Sequence, residues 1–361
     1  MTLINAKDME AIAIGSTVYG TGGGGDPYIG KLLAQNAIRE HGPVRLITLD
    51  ELDADDLIIS VAMVGAPAVM LEKMPEVGPL MLALRALEAE LGRAAAALLC
   101  VEAGGMNSTI PFCVASATGL PLVDGDTMGR AFPKIEMTLC TLQGIHACPM
   151  AMADAKGNAL LVKAIDNVYT ERFVRSVTME MGGVSYAALY AMTAAQARTA
   201  LVQGSLSAAR RTGQALFDAR ARHLDPVVEL TRVTAGYCLF KGKLVDVQRT
   251  VDGGWNRGVA QLAGLDEHAG KTLSLLFQNE FLMATLDGAA ICTTPDLIVL
   301  VDLETGEPIT GEQARYGLRA AVLGIPCDNG WRTPDAIALV GPRAFGYDCD
   351  YLPVEQGVLD R

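Results

Sequence analysis

The hydrophobic pattern of this chain changes its period partway along, and that change limits the folds open to it. In the first half, short apolar runs of strand length (Val44–Leu49, Leu57–Val64, Ala96–Val101, Leu120–Val123) alternate with stretches of helical periodicity near 6–18, 78–92 and 109–118. Strands alternating with helices predict an α/β layer structure. A further helix is predicted over roughly 193–218, with Ser205 and Ser207 inside it. From Val228 onward, helical periodicity gives way to short strands at Ala235–Phe240, Leu244–Thr250, Thr272–Phe277, Leu297–Asp302 and Leu318–Gly324. Turns at Lys241-Gly242, Asp252-Gly253-Gly254, Asp287-Gly288 and Glu304-Thr305-Gly306 separate them. That spacing predicts a barrel or sandwich. The chain therefore divides into an α/β domain over 1–170 and a helix followed by a β-barrel-like domain over 171–361. If the helix near 193–218 packs on the first domain, the boundary moves to about residue 225.

Composition narrows the function. At 361 residues two domains are the default, and 50% apolar residues supply a sizeable core. A net charge of −12, with no basic run, argues against nucleic acid and anionic membrane surfaces as partners. The first residues lack a basic stretch followed by an apolar one, and no apolar run is long enough to span a bilayer, so a cytoplasmic protein is expected. The high apolar content also fits a large subunit interface, hence a homo-oligomer. None of the eight cysteines is separated from another by two residues, as zinc and redox motifs require, and they read as buried free thiols. Only four histidines occur (His41, His146, His223, His268), so a three-histidine zinc site is not expected; no metal or cofactor is called for.

Three constellations can carry chemistry. The run Gly20-Thr21-Gly22-Gly23-Gly24-Gly25 precedes Asp26-Pro27, which favours a helix start. Such a run needs positive φ or close approach of another group, and free N–H groups ahead of a helix make an anion site. A flexible turn between two helices is the other reading. The loop follows a helix and lacks Gly-Lys-Ser/Thr, so it is neither a dinucleotide fingerprint nor a P-loop. The second group is Glu102, Asn107, Asp124, Asp126, Arg130 and Glu136, in which Glu102 and Asp124 directly follow apolar strands. Loops at strand carboxyl ends form ligand crevices in open α/β sheets, and carboxylates there can act as acids or bases. Asp-Gly-Asp is equally good turn chemistry. The third group comes from the second half: Gln278-Asn279-Glu280 ends a strand, and Arg343 stands among glycines and aromatics, where it can hold a carboxylate. His146 beside Cys148 reads first as a core or interface histidine.

Taken in order, GTGGGGDPYIG, LPLVDGDTMGRAFP, FQNEFLMATLDG, PDLIVLVDLETGEPIT and LVGPRAFGYD resemble the S-methyl thiohydantoin desulfurase family over essentially the whole chain. Its members, long a domain of unknown function, are often found near hydantoinase genes. The resemblance implies a three-layer α/β N-terminal domain and a β-barrel-like C-terminal domain. It also implies hydrolytic removal of a sulfur substituent from a small thiohydantoin ring, leaving a hydantoin. The resemblance does not divide the labour; from the residues themselves, Asp124 or Asp126 is expected as the base, with Glu102 and Asn107 holding the ring amide and the N–H groups of Gly22–Gly25 binding an oxygen. Arg130 or Arg343 holds a side-chain carboxylate, while Asp26 and Glu280 complete the substrate-binding set. The family pattern carries Glu after Phe-Pro, where this chain has Lys134. Two other expectations stand beside this one: a cyclic-amide hydrolase or accessory subunit of a hydantoinase or oxoprolinase assembly, and a non-catalytic small-molecule sensor.

Overall fold

A computed structural model describes residues 2–65, 76–252 and 255–359. The first half is built on one mixed sheet. Its strands are β1 (Thr2–Ile4), β2 (Val44–Ile47), β3 (Leu57–Gly65), β4 (Ala97–Cys100), β5 (Leu122–Asp126), β6 (Met150–Ala153), β7 (Ala159–Val162), β8 (Val184–Thr193) and β9 (Val202–Gln203). They lie in the order β1-β2-β5-β4-β3-β8-β6-β7, with β9 on β5. Pairings among β2, β5, β4 and β3 are parallel, and those that add β1, β8, β6, β7 and β9 are antiparallel.

Both faces of the central strands are buried, which is why they read as apolar runs. In β3, Leu57, Ile59, Val61 and Met63 face one core with Leu80, Leu84 and Phe112 of the helices Val77–Leu91 and Ile110–Thr118. Ile58 and Ala62 face the other, with Val174, Leu216 and Leu230 from the helices Asn167–Glu180, Ser205–Ala221 and Pro226–Thr234. Among the described residues, no helix is long and apolar enough to cross a membrane.

The second half is a seven-stranded antiparallel sheet in the order β14-β13-β12-β11-β10-β16-β15. Its strands are β10 (Tyr237–Asp252), β11 (Trp255–Gly264), β12 (Thr272–Gln278), β13 (Glu280–Leu286), β14 (Ala289–Thr293), β15 (Leu297–Asp302) and β16 (Arg319–Ile325). The expected barrel is corrected here: the sheet curls, but its end strands β14 and β15 share no ladder among the described residues, so it stops at a half-barrel. Along β15, Ile298 and Leu300 point into the half-barrel's own core, while Leu297, Val299 and Val301 join the core of the first sheet. β16 alternates likewise, with Val322 on one side and Leu323 on the other. The two halves are thus joined by a continuous apolar layer.

Three local expectations change. The predicted helix over 193–218 is two helices, Ala194–Ala200 and Ser205–Ala221, separated by β9 and by Gly204 at φ +77°. The extended Val202–Gln203 pairs with Gly125–Asp126, and that pairing outcompetes helical continuity. Asp124-Gly125-Asp126 is accordingly the end of β5 and not a turn. Lys241-Gly242 is no turn either: both residues pair with Ala321 and Ala320, and a bulge absorbs the irregularity nearby. The two glycines of the Asp252-Gly253-Gly254 turn fall outside the described residues.

The helix Ser205–Ala221 crosses the helix Asp8–Tyr19 with backbone against backbone. A Cβ on Gly15 would sit 1.8 Å from the Ala209 carbonyl oxygen, and one on Gly213 would sit 2.0 Å from that of Ala11. Alanine at either site gains about 1 kcal/mol of helix propensity. The backbones must part to admit it, which costs more. Gly15→Ala and Gly213→Ala should each lower stability by about 1–3 kcal/mol in denaturant unfolding.

Candidate active site

The site begins at the carboxyl end of β3. There the Asn107 side chain acts as one more strand residue: its Oδ1 accepts from Met63 N at 2.8 Å and its Nδ2 donates to Met63 O at 3.2 Å. This double contact fixes which end of the amide is which. The second Nδ2 hydrogen is then aimed at Glu102 Oε1, 2.8 Å away. Glu102 follows β4 and is buried. Burial, reinforced by the charge of Asp126, pushes its pKa up to about 8, with the Asn107 hydrogen bond opposing.

A second carboxyl group arrives from the half-barrel. Asn279 takes φ +60°, a left-handed conformation that Asn tolerates, and so turns the chain sharply between β12 and β13. Its backbone N–H and its Oδ1 bond to Asn256 O and N at 2.8 and 2.9 Å. The turn delivers Glu280, which is 3% exposed and whose Oε2 has no hydrogen-bond partner among the described residues. Burial first, then the charge of Glu102, raises its pKa to about 8, while Arg130 holds it back.

The glycine run is explained by what lies against it. A Cβ on Gly23 would fall 2.2 Å from Glu280 Oε1, and one on Gly22 would fall 2.4 Å from the Phe281 ring. The run is stitched in place on both sides: Thr21 O accepts from Phe281 N, Gly22 O from Gly311 N and Gly24 O from Met106 N, at 2.7, 2.7 and 2.9 Å. Gly22, Gly24 and Gly25 all have positive φ. Close approach with unusual backbone, and not a loose turn, is the reason for these residues. The Gly23 N–H is spent on Gly20 O, and Gly24 alone of the four lines the cleft.

Arg130 is entirely buried. Nε donates to Ala131 O at 3.1 Å, Nη1 to Pro295 O and Asp296 O at 3.2 and 2.8 Å, and Nη2 to Thr21 Oγ1 and Phe281 O at 2.9 and 3.2 Å. All five of its donors are taken, so the guanidinium ties the halves together and none of its N–H groups points at a ligand. Burial lowers its pKa to about 10, which leaves it charged at neutral pH.

The remaining sequence candidates are scattered around this centre. Asp126 is fully buried; its Oδ2 accepts from the N–H groups of Ala103, Met128 and Gly129 at 2.8, 3.2 and 2.8 Å. Burial lifts its pKa to about 6 against those donors. It pins the loop carrying Glu102 to the loop after β5. Asp124 is bonded instead to Ser207 N and Oγ at 3.0 and 2.5 Å, at the start of the helix Ser205–Ala221. Asp26 accepts from Tyr28 N at 2.8 Å at its own helix start. Arg343 is exposed and paired with Asp348 and Asp350. His146 and Cys148 line a different surface pocket, with Lys163.

Glu102, Asn107, Gly24 and Glu280 therefore share one cleft, closed on its other walls by Met106, Phe132, Lys134 and Arg175. Arg175 was not legible from the sequence. It is anchored by Glu171 and by Pro133 O at 2.8 Å, and lies over the Trp255 ring at 4.2 Å. Among the described residues, no group of three or more His, Cys, Asp and Glu side chains is placed to hold a metal ion.

Both cleft carboxyls have folded-state pKa values raised above the ordinary 4.5. Their protonation favours the fold fully below pH 4.5, and this contribution is lost as pH rises through 8. Glu102→Gln and Glu280→Gln remove the titration. Each should raise thermal stability relative to the native protein at pH 9, on the order of 1–3 kcal/mol, with the gain vanishing by pH 5. Unfolding scans at pH 5, 7 and 9 check this.

No curated protein matches the chain. A crystal structure of a protein from Chromobacterium violaceum has the same fold, with a TM-score of 0.79 at 24% identity over 98% of this chain and 100% of that one. The model of the S-Me-THD-like N-terminal domain matches residues 7–164, and that of the S-Me-THD-like C-terminal domain matches residues 165–354. With both domains matched in order across almost its whole length, the chain belongs to the S-Me-THD-like family.

Proposed function

We propose that the protein hydrolyses an S-alkylated thiohydantoin ring to the hydantoin, with Glu102 and Glu280 as the acid–base pair. The observation that carries this reading is the meeting, in one cleft, of two buried carboxyl groups whose pKa values are raised into the range useful near neutral pH. Family membership supports a thiohydantoin-like substrate.

The ring carbon bearing sulfur is amidine-like and electrophilic. Ionised Glu102 takes a proton from water as the new C–O bond forms at that carbon. The C=N electron pair moves to the ring nitrogen, which takes a proton from neutral Glu280. As the tetrahedral carbon collapses, the C–S bond breaks and the sulfur leaves as a thiol with the proton from Glu102. The new hydroxyl returns its proton to Glu280 and becomes the ring carbonyl. Ring imine and water give ring amide and thiol, and both carboxyl groups end as they began. Asn107 holds Glu102 in position, and Asp126, through its charge, keeps Glu102 basic.

The reaction needs one carboxyl ionised and the other neutral. Turnover should therefore rise toward pH 8 as the pair loses its first proton and fall above it as the second is lost. Thiol release and loss of the ring's ultraviolet absorption, followed on S-methyl thiohydantoins, measure it. Glu102→Gln should cost roughly 10²–10⁴-fold in turnover. Asp124→Asn should stay within about tenfold of native, because its acceptors serve Ser207. Native rates from Glu102→Gln would move the acid–base role elsewhere. Absence of turnover on every thiohydantoin offered would favour a binding function.

A further inference from the structure

The helix Asn167–Glu180 buries Thr170, Glu171, Val174 and Thr178 on the side that meets the first sheet, and turns its opposite side outward. The outward side of such a helix is ordinarily polar. Here Tyr169, Phe173 and Met179 stand on it with 39%, 46% and 71% of their surface exposed. The Tyr169 and Phe173 rings lie 6.0 Å apart, so they form one continuous apolar patch. Arg172 and Glu180 are exposed on the same side. Arg172 lies over the Tyr169 ring at 5.3 Å, and neither charge has a salt-bridge partner among the described residues. In the middle of this face is Ser176, whose Oγ donates back to Arg172 O at 3.1 Å and so presents no unpaired donor.

The face is complementary to itself. Arg172 and Glu180 each lie four positions from Ser176, on opposite sides of it, and Phe173 and Met179 each lie three. At 3.6 residues per turn, positions equally far before and after a centre fall at opposite heights and on opposite flanks of the helix. A two-fold axis through Ser176 therefore sets Arg172 of one copy against Glu180 of the second, and Phe173 against Met179, and does each twice. We infer that this face is the contact with a second copy of the chain, the two helices crossing antiparallel at Ser176. The small serine lets the helices approach, the apolar side chains leave water, and each unpaired charge gains its opposite. The pairing does not depend on the ring-hydrolysis reading.

Charge reversal tests the register as well as the contact. In sedimentation velocity the native protein should run as a dimer that dissociates on dilution, because one pair of helices covers less than the about 800 Å² per partner of a standard interface. Arg172→Glu places a carboxylate against Glu180, and Glu180→Arg places a guanidinium against Arg172. Each should weaken association roughly tenfold or more. Phe173→Asp, which puts a charge against Met179, should do the same. The double variant Arg172→Glu/Glu180→Arg restores opposite charges and should recover the dimer. A native protein that stays monomeric, an oligomer that either single reversal leaves intact, or a double variant no more associated than the single ones would overturn the inference.

Discussion

Arg130 carries a full positive charge to a place that water does not reach. Desolvating it costs several kcal/mol. The cost is offset because each of the five N–H groups finds an acceptor and because the Phe132 ring lies 4.6 Å from the guanidinium. The acceptors belong to the segments that matter most: Thr21 at the head of the glycine run, Phe281 next to Glu280, and Pro295-Asp296 leading into β15. One side chain thus fixes the loop, the second carboxyl and the first of the two shared strands relative to β5. Asp296 is itself held, accepting from Cys327 N and Val354 N at 2.9 and 2.8 Å, so the C-terminal segments inherit the same alignment.

The same logic governs the glycine run. Its sequence signature implied positive φ or close approach of another group, with anion binding or a flexible turn as the alternatives for its use, and the contacts show positive φ and close approach. Glycines let one backbone lie against Glu280, Phe281 and the Gly104-Gly105 backbone at distances that no side chain permits. This contact keeps water from the inner side of Glu280 and contributes to the burial that keeps its carboxyl largely neutral.

Much of the first half was legible because its strands are buried on both faces and its helices are amphipathic: β3, β4 and the helices Val77–Leu91 and Ile110–Thr118 fall within two residues of expectation. What was missed follows from pairing. Val202–Gln203 has no strand signature of its own and becomes extended because β5 offers an edge. The apolar Leu297–Val301 was legible as a strand. That it is apolar on both faces because it serves two cores could be seen only in three dimensions. Glu102, Asn107 and Glu280 could be picked out by their positions at strand ends. The sequence carries no mark that distinguishes Asp124, bonded to Ser207, from Asp126, bonded to the Glu102 loop: regular alternation would treat the two alike, and the register shift between β4 and β5 that intervenes is visible only in three dimensions.

The shared strands have a consequence for how the chain comes into being. The outer face of the first sheet is completed by Leu297, Val299, Leu323 and Ile325, which are synthesised after every strand of that sheet. A ribosome that has just released residue 230 has therefore made every strand of the first sheet, with part of one apolar face still uncovered. During the synthesis of the half-barrel that patch remains open to wrong partners. The nascent protein is most prone to aggregate at this stage, when its first sheet is already complete in hydrogen bonds but not in packing.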